Sequence, residues 1–487
     1  MRTSISSLIT KTLNHNSNHY IMATKTKQGW LWKDKKHILN SIQYCRDYLQ
    51  SENIKKGDRI VYKGGNSIEW LSWNIACNSL GTIWVPMYDN QSDDYCNHIV
   101  NDCSPKIFIS DTKPKLETNI KTIGTNIEYF DEYKDIDFVY NDIATLIYTS
   151  GTTGKPKGVM LSNENIVSNI NGIQNLFPNF TNKTSLNILP WAHIYSQTCE
   201  LYYSILNENK IALCSSRENF INELKEIQPD VLYVVPRVLE LIKSKVEFLD
   251  KPILQYVLPI VLKRLFGSNL SIFFIGGAKL QESTKDFFHK NGYIICEGYG
   301  CTELSPIVSI NHINDPRNEQ SIGKILNNVL VEIIDDEIQV CGPNVMLGYW
   351  NNKEETNKVF VKRDNKTWYK TGDSGYKEDD FLFYNGRIND NYKLSNGKFV
   401  NVEHIESIVK QHIKGNCIVF TIDNINNELI VSEDIHDSML NDINKKLNNY
   451  SKIKNVHILN EDKWEKYYTP KMSIKRKMLI QDFLENK

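Results

Sequence analysis

The chain has no long apolar run: nothing in it approaches the roughly 18 consecutive apolar residues of a membrane span. It also lacks the cysteine spacing of a zinc site or a redox pair. Ten cysteines stand singly from Cys45 to Cys417, and no Cys-x-x-Cys occurs. The closest pairs, Cys96/Cys103 and Cys296/Cys301, have no zinc-like His or Cys company. Reduced thiols of an intracellular protein fit that scatter, with Cys103 and Cys296 as core residues. A charge excess is missing too. Lys and Arg (57) almost cancel Asp and Glu (58), leaving a formal charge of −1, which argues against a nucleic-acid binder working through a broad basic surface. Acidic residues are absent before Asp34, while Arg2, Lys11, Lys25, Lys27 and Lys33 precede it. That pattern fits a frayed polar N-terminus better than an organelle transit peptide, and targeting stays open. No apolar core suggests a secretory signal, so a cytoplasmic protein is expected, with membrane association left open.

What is present is the texture of a large α/β protein. At about 150 residues per domain, 487 residues imply about three domains or subdomains. From about Asp58 to Cys296, short β-branched runs alternate with helical patterns. The runs Arg59–Tyr62, Thr82–Val85, Lys106–Ile109, Thr145–Tyr148, Leu186–Leu189, Ile211–Leu213, Val231–Val235, Ser271–Ile275 and Ile294–Cys296 read as strands. Ile68–Leu80, Asn165–Leu176 and Phe220–Ile227 read as helices between them, which predicts helix-covered parallel sheets. After about Gly323 the pattern becomes antiparallel, with a hairpin turning at Asp335-Asp336 and a strand at Phe381–Tyr384, suggesting a small barrel. Beyond Asn389 come about a hundred residues with their own alternation: a helix near Val402–Lys410 and strands near Cys417–Thr421 and Glu428–Val431. The expected architecture is α/β: a large N-terminal domain (1–388) with doubly wound mixed sheets and a small β-barrel, then a small α+β C-terminal domain (389–487).

The strongest chemical signal is Leu146-Ile-Tyr-Thr-Ser-Gly-Thr-Thr-Gly-Lys-Pro-Lys-Gly-Val159. A strand runs into a loop of three glycines, three hydroxyls and two lysines, with a helix after Ser162. Glycines expose backbone N–H groups, hydroxyls add short donors and lysines supply charge, which together cradle a polyphosphate. A Walker loop is excluded because Pro156 follows Gly154-Lys155 and the upstream glycine is missing.

Thr149–Gly158 resembles the phosphate loop of the adenylate-forming enzymes: acyl-CoA synthetases, luciferases and peptide-synthetase adenylation domains. Pro190-Trp-Ala-His193, Tyr299-Gly-Cys-Thr-Glu303, Tyr369-Lys-Thr-Gly-Asp373 and Gly386-Arg387 each resemble a family motif, in order along nearly the whole chain. Gly57-Asp58-Arg59 through Pro86, and Gly342-Pro343 through Trp350, resemble its framework. Pro190–His193, Val235-Pro-Arg237, Gly276-Gly-Ala278 and Lys393-Leu-Ser-Asn-Gly397 are most similar to long-chain fatty acyl-CoA synthetases, although the segment from Arg237 to Gly276 is shorter than in that subfamily.

The resemblance implies an AMP-forming fatty acid–CoA ligase that uses ATP, Mg²⁺ and CoA. Its ATP site would comprise Thr149, Ser150, Gly151, Thr152, Thr153, Gly154 and Lys157 at the phosphates, and Gly277, Ala278, Gly298, Tyr299 and Gly300 around the adenine. Thr302 would sit at the α-phosphate, Glu303 would coordinate the metal, and Asp373 with Arg387 would hold the ribose. Read on their own, Glu303, Asp373 and Arg387 are equally solvated turn or hairpin-end charges. Gly298-x-Gly300 starts like a dinucleotide fingerprint, but Glu303 occupies the third glycine position. His193 would stand near the acyl and phosphate entrance, and a structural histidine is an even alternative. Trp191, Tyr195, Tyr202 and Tyr203 fit an acyl tunnel less well than core packing. Ser395, Asn396, Gly397 and Lys398 would approach CoA after rotation about Asn389. The partners implied are a fatty acid, ATP and CoA, with a homodimer left open.

Two features stand apart. Tyr256–Phe266 is apolar with a basic end, and suits a buried or subunit-facing helix kinked at Pro259 better than one lying on a membrane. The final family motif normally places a lysine where this chain has Ser473, in Thr469-Pro-Lys-Met-Ser-Ile-Lys-Arg476. Losing one such charge-stabilising donor costs about 10²–10³-fold in rate. Lys471 or Lys475 would have to reach in, or turnover is impaired, or acyl-AMP passes to another acceptor.

Overall fold

A computed structural model describes residues 3–128, 136–150, 156–250, 256–312, 321–413, 415–468 and 474–485. Two sheets organise the larger domain. In the first, the strands Tyr20–Thr26, Lys210–Leu213, Thr184–Asn187, Val231–Val234, Ile272–Ile275 and Ile294–Gly300 lie side by side in that order and in parallel. Ile294–Gly300 then pairs antiparallel with Ile307–Ile310, which begins the antiparallel run expected from the sequence. The hairpin Leu330–Ile334/Glu337–Cys341 turns on Asp335 and Asp336, both left-handed at φ 52° and 64°. Short polar side chains tolerate that conformation, which a two-residue hairpin loop needs at both centres.

The second sheet orders Gly348–Tyr349, Pro156–Ser162, Ile143–Ser150, Ile83–Met87, Arg59–Lys63, Ile107–Ile109 and Lys121–Ile123. Its first three strands are antiparallel and the rest parallel. Ile60, Val61, Val85 and Phe108 are buried on its strands, as continuous apolar runs in a helix-covered sheet require. Helix Ile68–Ser79 is buried along nearly its whole length, its polar Ser72, Asn74, Asn78 and Ser79 included.

The N-terminus corrects the sequence expectation. Helix Ile5–Asn14 places Ile5, Ile9 and Leu13 in the main core, and the following strand joins the first sheet. Apolar residues every four positions outweigh the missing acidic residues. The buried Lys35 ammonium fastens this region, donating to the Thr12 and His15 carbonyls at 3.2 and 2.9 Å and to Glu208 at 2.5 Å. A second correction concerns Pro259. Helix Leu258–Phe266 begins one residue before it, so the proline sits in the first turn, where its missing N–H costs nothing, and there is no kink. Leu258, Leu262 and Phe266 are buried, whereas Tyr256 and Ile260 are exposed. Among the described residues no helix is long and apolar enough to cross a membrane. All ten cysteines are free thiols, Cys103 and Cys296 fully buried.

The smaller C-terminal domain has its own three-stranded sheet, Cys417–Phe420, Asn427–Val431 and Ile453–Ile458. Its core of Leu394, Val400, Ile405, Val409, Val419 and Leu429 is separate from the others. Arg476 fastens the C-terminal helix Arg476–Glu485 to helix Val402–Val409 through two 2.6 Å bonds to Glu406.

Candidate active site

The phosphate-loop sequence is flanked by two antiparallel strands of a β-hairpin. Strand Ile143–Ser150 pairs with Pro156–Ser162 in the register Thr149↔Lys157 and Ser150↔Pro156. Gly151, Thr152, Thr153 and Gly154 lie outside the described residues, as does the side chain of Ser150. The helix expected after Ser162 starts there: Ser162 Oγ accepts from Asn165 N at 2.9 Å, and Asn165 Oδ1 accepts from Ser162 N at 2.8 Å, a reciprocal cap. Lys157 is engaged in an ion pair with Glu355, and its ammonium lies 5.3 Å from the Tyr349 ring centroid. That pairing, with Lys358, draws the Glu355 carboxyl down to about 2.

The remaining motif residues gather where strands of the first sheet end, the side on which α/β sheets bind ligands. Strands Ile272–Ile275 and Ile294–Gly300 run in parallel with Ile275 opposite Glu297, so the segments Gly276–Ala278 and Gly298–Gly300 are neighbours. Gly276 has the Tyr195 ring against it, 3.0 Å from where a Cβ would stand. At Gly300 a Cβ would lie 1.7 Å from the Pro306 carbonyl oxygen, so only glycine lets the chain turn into the Thr302–Leu304 helical turn. Thr302 is buried, and Glu303, half-buried, accepts from the Tyr349 hydroxyl at 3.0 Å. Magnesium takes one or two carboxylates and leaves other positions to phosphate and water, so one half-buried carboxylate beside a phosphate-type loop fits a nucleotide-bound ion.

Asp373 and Arg387 face each other across strands Lys366–Glu378 and Phe381–Arg387. Asp373 is 4% exposed. The Tyr299 hydroxyl donates to its Oδ2 at 2.7 Å, and Arg387 Nε stands 2.9 Å from its Oδ1. Burial pushes its carboxyl up, and Arg387 and then Tyr299 draw it back. The Thr371 hydroxyl donates to the Ile338 carbonyl at 2.7 Å and accepts from Asp373 N at 3.0 Å, which fixes the turn. A buried carboxylate beside an arginine can take two hydrogen bonds from a diol.

His193 stands in a tightly held turn. The Tyr195 backbone N–H donates to its Nδ1 at 3.2 Å, which puts the proton of the neutral ring on Nε2. Asn66 Nδ2 donates to Leu189 O at 2.7 Å, and Asn66 Oδ1 accepts from Trp191 N at 2.8 Å. Asn187 Nδ2 donates to Leu189 O at 3.0 Å and to Glu200 Oε2 at 2.5 Å, and Ser196 Oγ lies 3.0 Å from that same oxygen. Glu200, on the π-helix Ser196–Tyr202, is fully buried, and burial pushes its carboxyl up to about 8. Trp191, Tyr195, Tyr202 and Tyr203 are buried in the main core.

Sequence reasoning missed Tyr349, Glu355 and Glu200. Glu200 had a signal, being the only charged residue between Ile194 and Leu206. Ser395, Asn396, Gly397 and Lys398 form an exposed turn in the C-terminal domain, where Ser395 N donates to Asn424 O at 2.6 Å and Gly397 takes φ 81°. Asn389 occupies the turn after Arg387. Ser473 and Lys471 lie outside the described residues, while Lys475 is exposed and donates its backbone N–H to Tyr467 O at 2.7 Å.

The family model described as AMP-binding enzyme matches residues 41–350. Among curated proteins, the chain is 26% identical over 444 residues to the long-chain-fatty-acid–CoA ligase FadD15 of Mycobacterium bovis, covering 77% of this chain and 72% of the relative. It is 25% identical over 470 residues to long chain acyl-CoA synthetase 4 of Arabidopsis thaliana, covering 78% and 69%. Among solved structures, ATP-bound MatB from Rhodopseudomonas palustris superposes with a TM-score of 0.82 at 20% identity over 99% of both chains. The O-succinylbenzoate coenzyme A synthetase MenE of Bacillus subtilis, in complex with AMP, gives 0.80 at 19% identity over 97% of both.

Proposed function

This chain belongs to the AMP-binding enzyme family, and on that premise we propose that it ligates a fatty acid to CoA through an acyl-adenylate, with long-chain acids as its substrate class. The observation that carries the reading is the buried Asp373 held between Tyr299 and Arg387, beside the glycine strand ends and Glu303. The names of the relatives support the long-chain class.

The acid's carboxylate attacks the α-phosphorus of ATP, a P–O bond breaks and pyrophosphate leaves. The CoA thiolate then attacks the acyl carbon, and AMP departs. Bringing a carboxylate to a polyphosphate needs neutralising charge more than a protein nucleophile. Asp373 accepts the ribose hydroxyls while Arg387 balances its charge. Gly277, Ala278, Gly298, Tyr299 and Gly300 border the adenine, and Thr149 through Gly154 cradle the phosphates with Thr302 at the α-phosphate. His193 offers its Nε2 proton at the entrance. Glu303 would hold magnesium, which when bound supplies positive charge to the phosphate oxygens. Residues 389–487 turn about Asn389 between half-reactions, bringing Ser395–Lys398 toward CoA.

Purified protein given Mg-ATP, palmitate and CoA should release AMP and form palmitoyl-CoA, followed by mass spectrometry. Neither AMP nor thioester from palmitate or shorter acids, despite measured ATP binding, would refute ligase activity. A second reading rests on Ser473: without the family lysine, the chain binds nucleotide and acyl group with impaired turnover. Ser473→Lys should then raise pyrophosphate exchange by about 10²–10³-fold. An unchanged rate rejects that reading.

A further inference from the structure

The stretch from Gly342 to Trp350 resembles family framework, and the proposed chemistry gives it no part. Its geometry does. Strand Gly348–Tyr349 is clipped onto the phosphate hairpin, with Gly348 opposite Met160 and Tyr349 opposite Val159. Leu347 N donates to Met160 O at 3.0 Å and Trp350 N to Gly158 O at 2.7 Å, so the chain is held on both sides of Tyr349. Tyr349 N in turn donates to Thr356 Oγ1 at 2.9 Å. The side chain is 7% exposed. Its ring faces the Lys157 ammonium near the loop end of the hairpin, and its hydroxyl donates to Glu303 Oε1 at 3.0 Å. Tyr369, at the head of the motif that ends in Asp373, lies beside the same phenol. One tyrosine therefore touches the hairpin and the proposed metal carboxylate and borders the strand that carries Asp373.

We propose that Tyr349 is a positioning residue: its hydroxyl sets the rotamer of Glu303, and its backbone ties that carboxylate to the phosphate hairpin. A glutamate on a short helical turn has three torsions to settle. A phenol fixed by strand pairing removes that freedom at one oxygen and leaves the other set to meet a nucleotide-bound cation. The proposal rests on the reading of Glu303 as a metal ligand.

Tyr349→Phe removes only the hydroxyl and keeps the ring against Lys157. Binding of Mn²⁺ in the presence of a non-hydrolysable ATP analogue, read as loss of the free-ion EPR signal, should weaken about 10-fold, as expected for one hydrogen bond to a charged group. Affinity for the same analogue in EDTA should stay unchanged, and the thermal midpoint reports whether the fold is intact. In a Glu303→Gln background Tyr349→Phe should add nothing, because it acts through that carboxylate. Equal weakening with and without metal, additive effects of the two substitutions, or unchanged Mn²⁺ binding in Tyr349→Phe would each overturn the proposal. Unchanged Mn²⁺ binding in Glu303→Gln would instead defeat the reading of Glu303 itself, and the proposal with it.

Discussion

Glu200 provides the sharpest physical test of the interior. Its carboxyl is fully buried beneath the His193 turn, between Asn187 Nδ2 at 2.5 Å and Ser196 Oγ at 3.0 Å. Burial pushes it from an ordinary 4.5 up to about 8, against the opposing pull of those two partners. Raising a carboxyl by that much corresponds to about 5 kcal/mol between its protonated and ionised forms. Between pH 4.5 and 8 the folded state then keeps a proton that the unfolded chain has released. Stability must fall as pH rises through that window and level off above it. Glu200→Gln keeps an oxygen for Asn187 and removes the titration. The substitution has its own offset of about 1–3 kcal/mol, because an amide N–H₂ replaces Oε1, but that offset does not depend on pH. The assay is urea unfolding of both proteins from about pH 5 to 9, spanning the window, followed by the fluorescence of the buried tryptophans. Relative to Glu200→Gln, the wild type should lose up to about 5 kcal/mol across the window. Parallel curves would refute a neutral Glu200 and the account of the turn that depends on it.

Asp373→Asn should weaken ATP binding about 10- to 100-fold by calorimetry, since an amide accepts at one end only and leaves Arg387 without its anion. Gly300→Ala drives a Cβ to 1.7 Å from the Pro306 carbonyl and should cost more than about 4 kcal/mol or abolish soluble protein. Gly292→Ala meets nothing within 4 Å but must hold φ 86°, so it should cost about 1–2 kcal/mol, well short of Gly300→Ala. Arg476→Met leaves Glu406 buried without its bidentate partner and should cost about 3–5 kcal/mol in chemical denaturation. Pairing it with Glu406→Met should recover much of that loss, because the stranded charge is gone.

Most of the parallel framework was legible because its strands are covered on both faces and so read as apolar runs between turn residues. Arg59–Lys63, Val231–Val234 and Ile272–Ile275 fall within a residue or two of expectation. The N-terminal hairpin Tyr20–Thr26/Gly29–Asp34 did not stand out, because only the inner strand is deeply buried and the outer one is an edge. Of the candidate site, Glu303, Asp373 and Arg387 were singled out because each ends a short motif contiguous in sequence. Tyr349 and Glu355 were not: their partners Glu303 and Lys157 lie 46 and 198 residues away, and a contact between segments so distant leaves no local signature. Glu200, alone as a charge between Ile194 and Leu206, had a signal that went unread.

The phosphate hairpin belongs to the seven-stranded sheet, whereas Asp373 and Arg387 lie on strands of the other and Glu303 on the helical turn between two of its strands. Between them runs one short crossing: strand Gly348–Tyr349 on the hairpin, helix Lys353–Val359, and strand Phe360–Arg363 paired to the strand that carries Asp373. Glu355 on that helix holds Lys157, and Tyr349 before it holds Glu303. The hairpin Ile143–Ser150/Pro156–Ser162 and the strand that carries Asp373 are thus joined through this short stretch of chain. Lys157, expected from sequence at the phosphates, is ion-paired with Glu355 on this crossing. Glu355→Gln should loosen that brace and weaken ATP, with its phosphates, more than adenosine, which lacks them; equal loss of both ligands in calorimetry would show that the crossing only stabilises the fold.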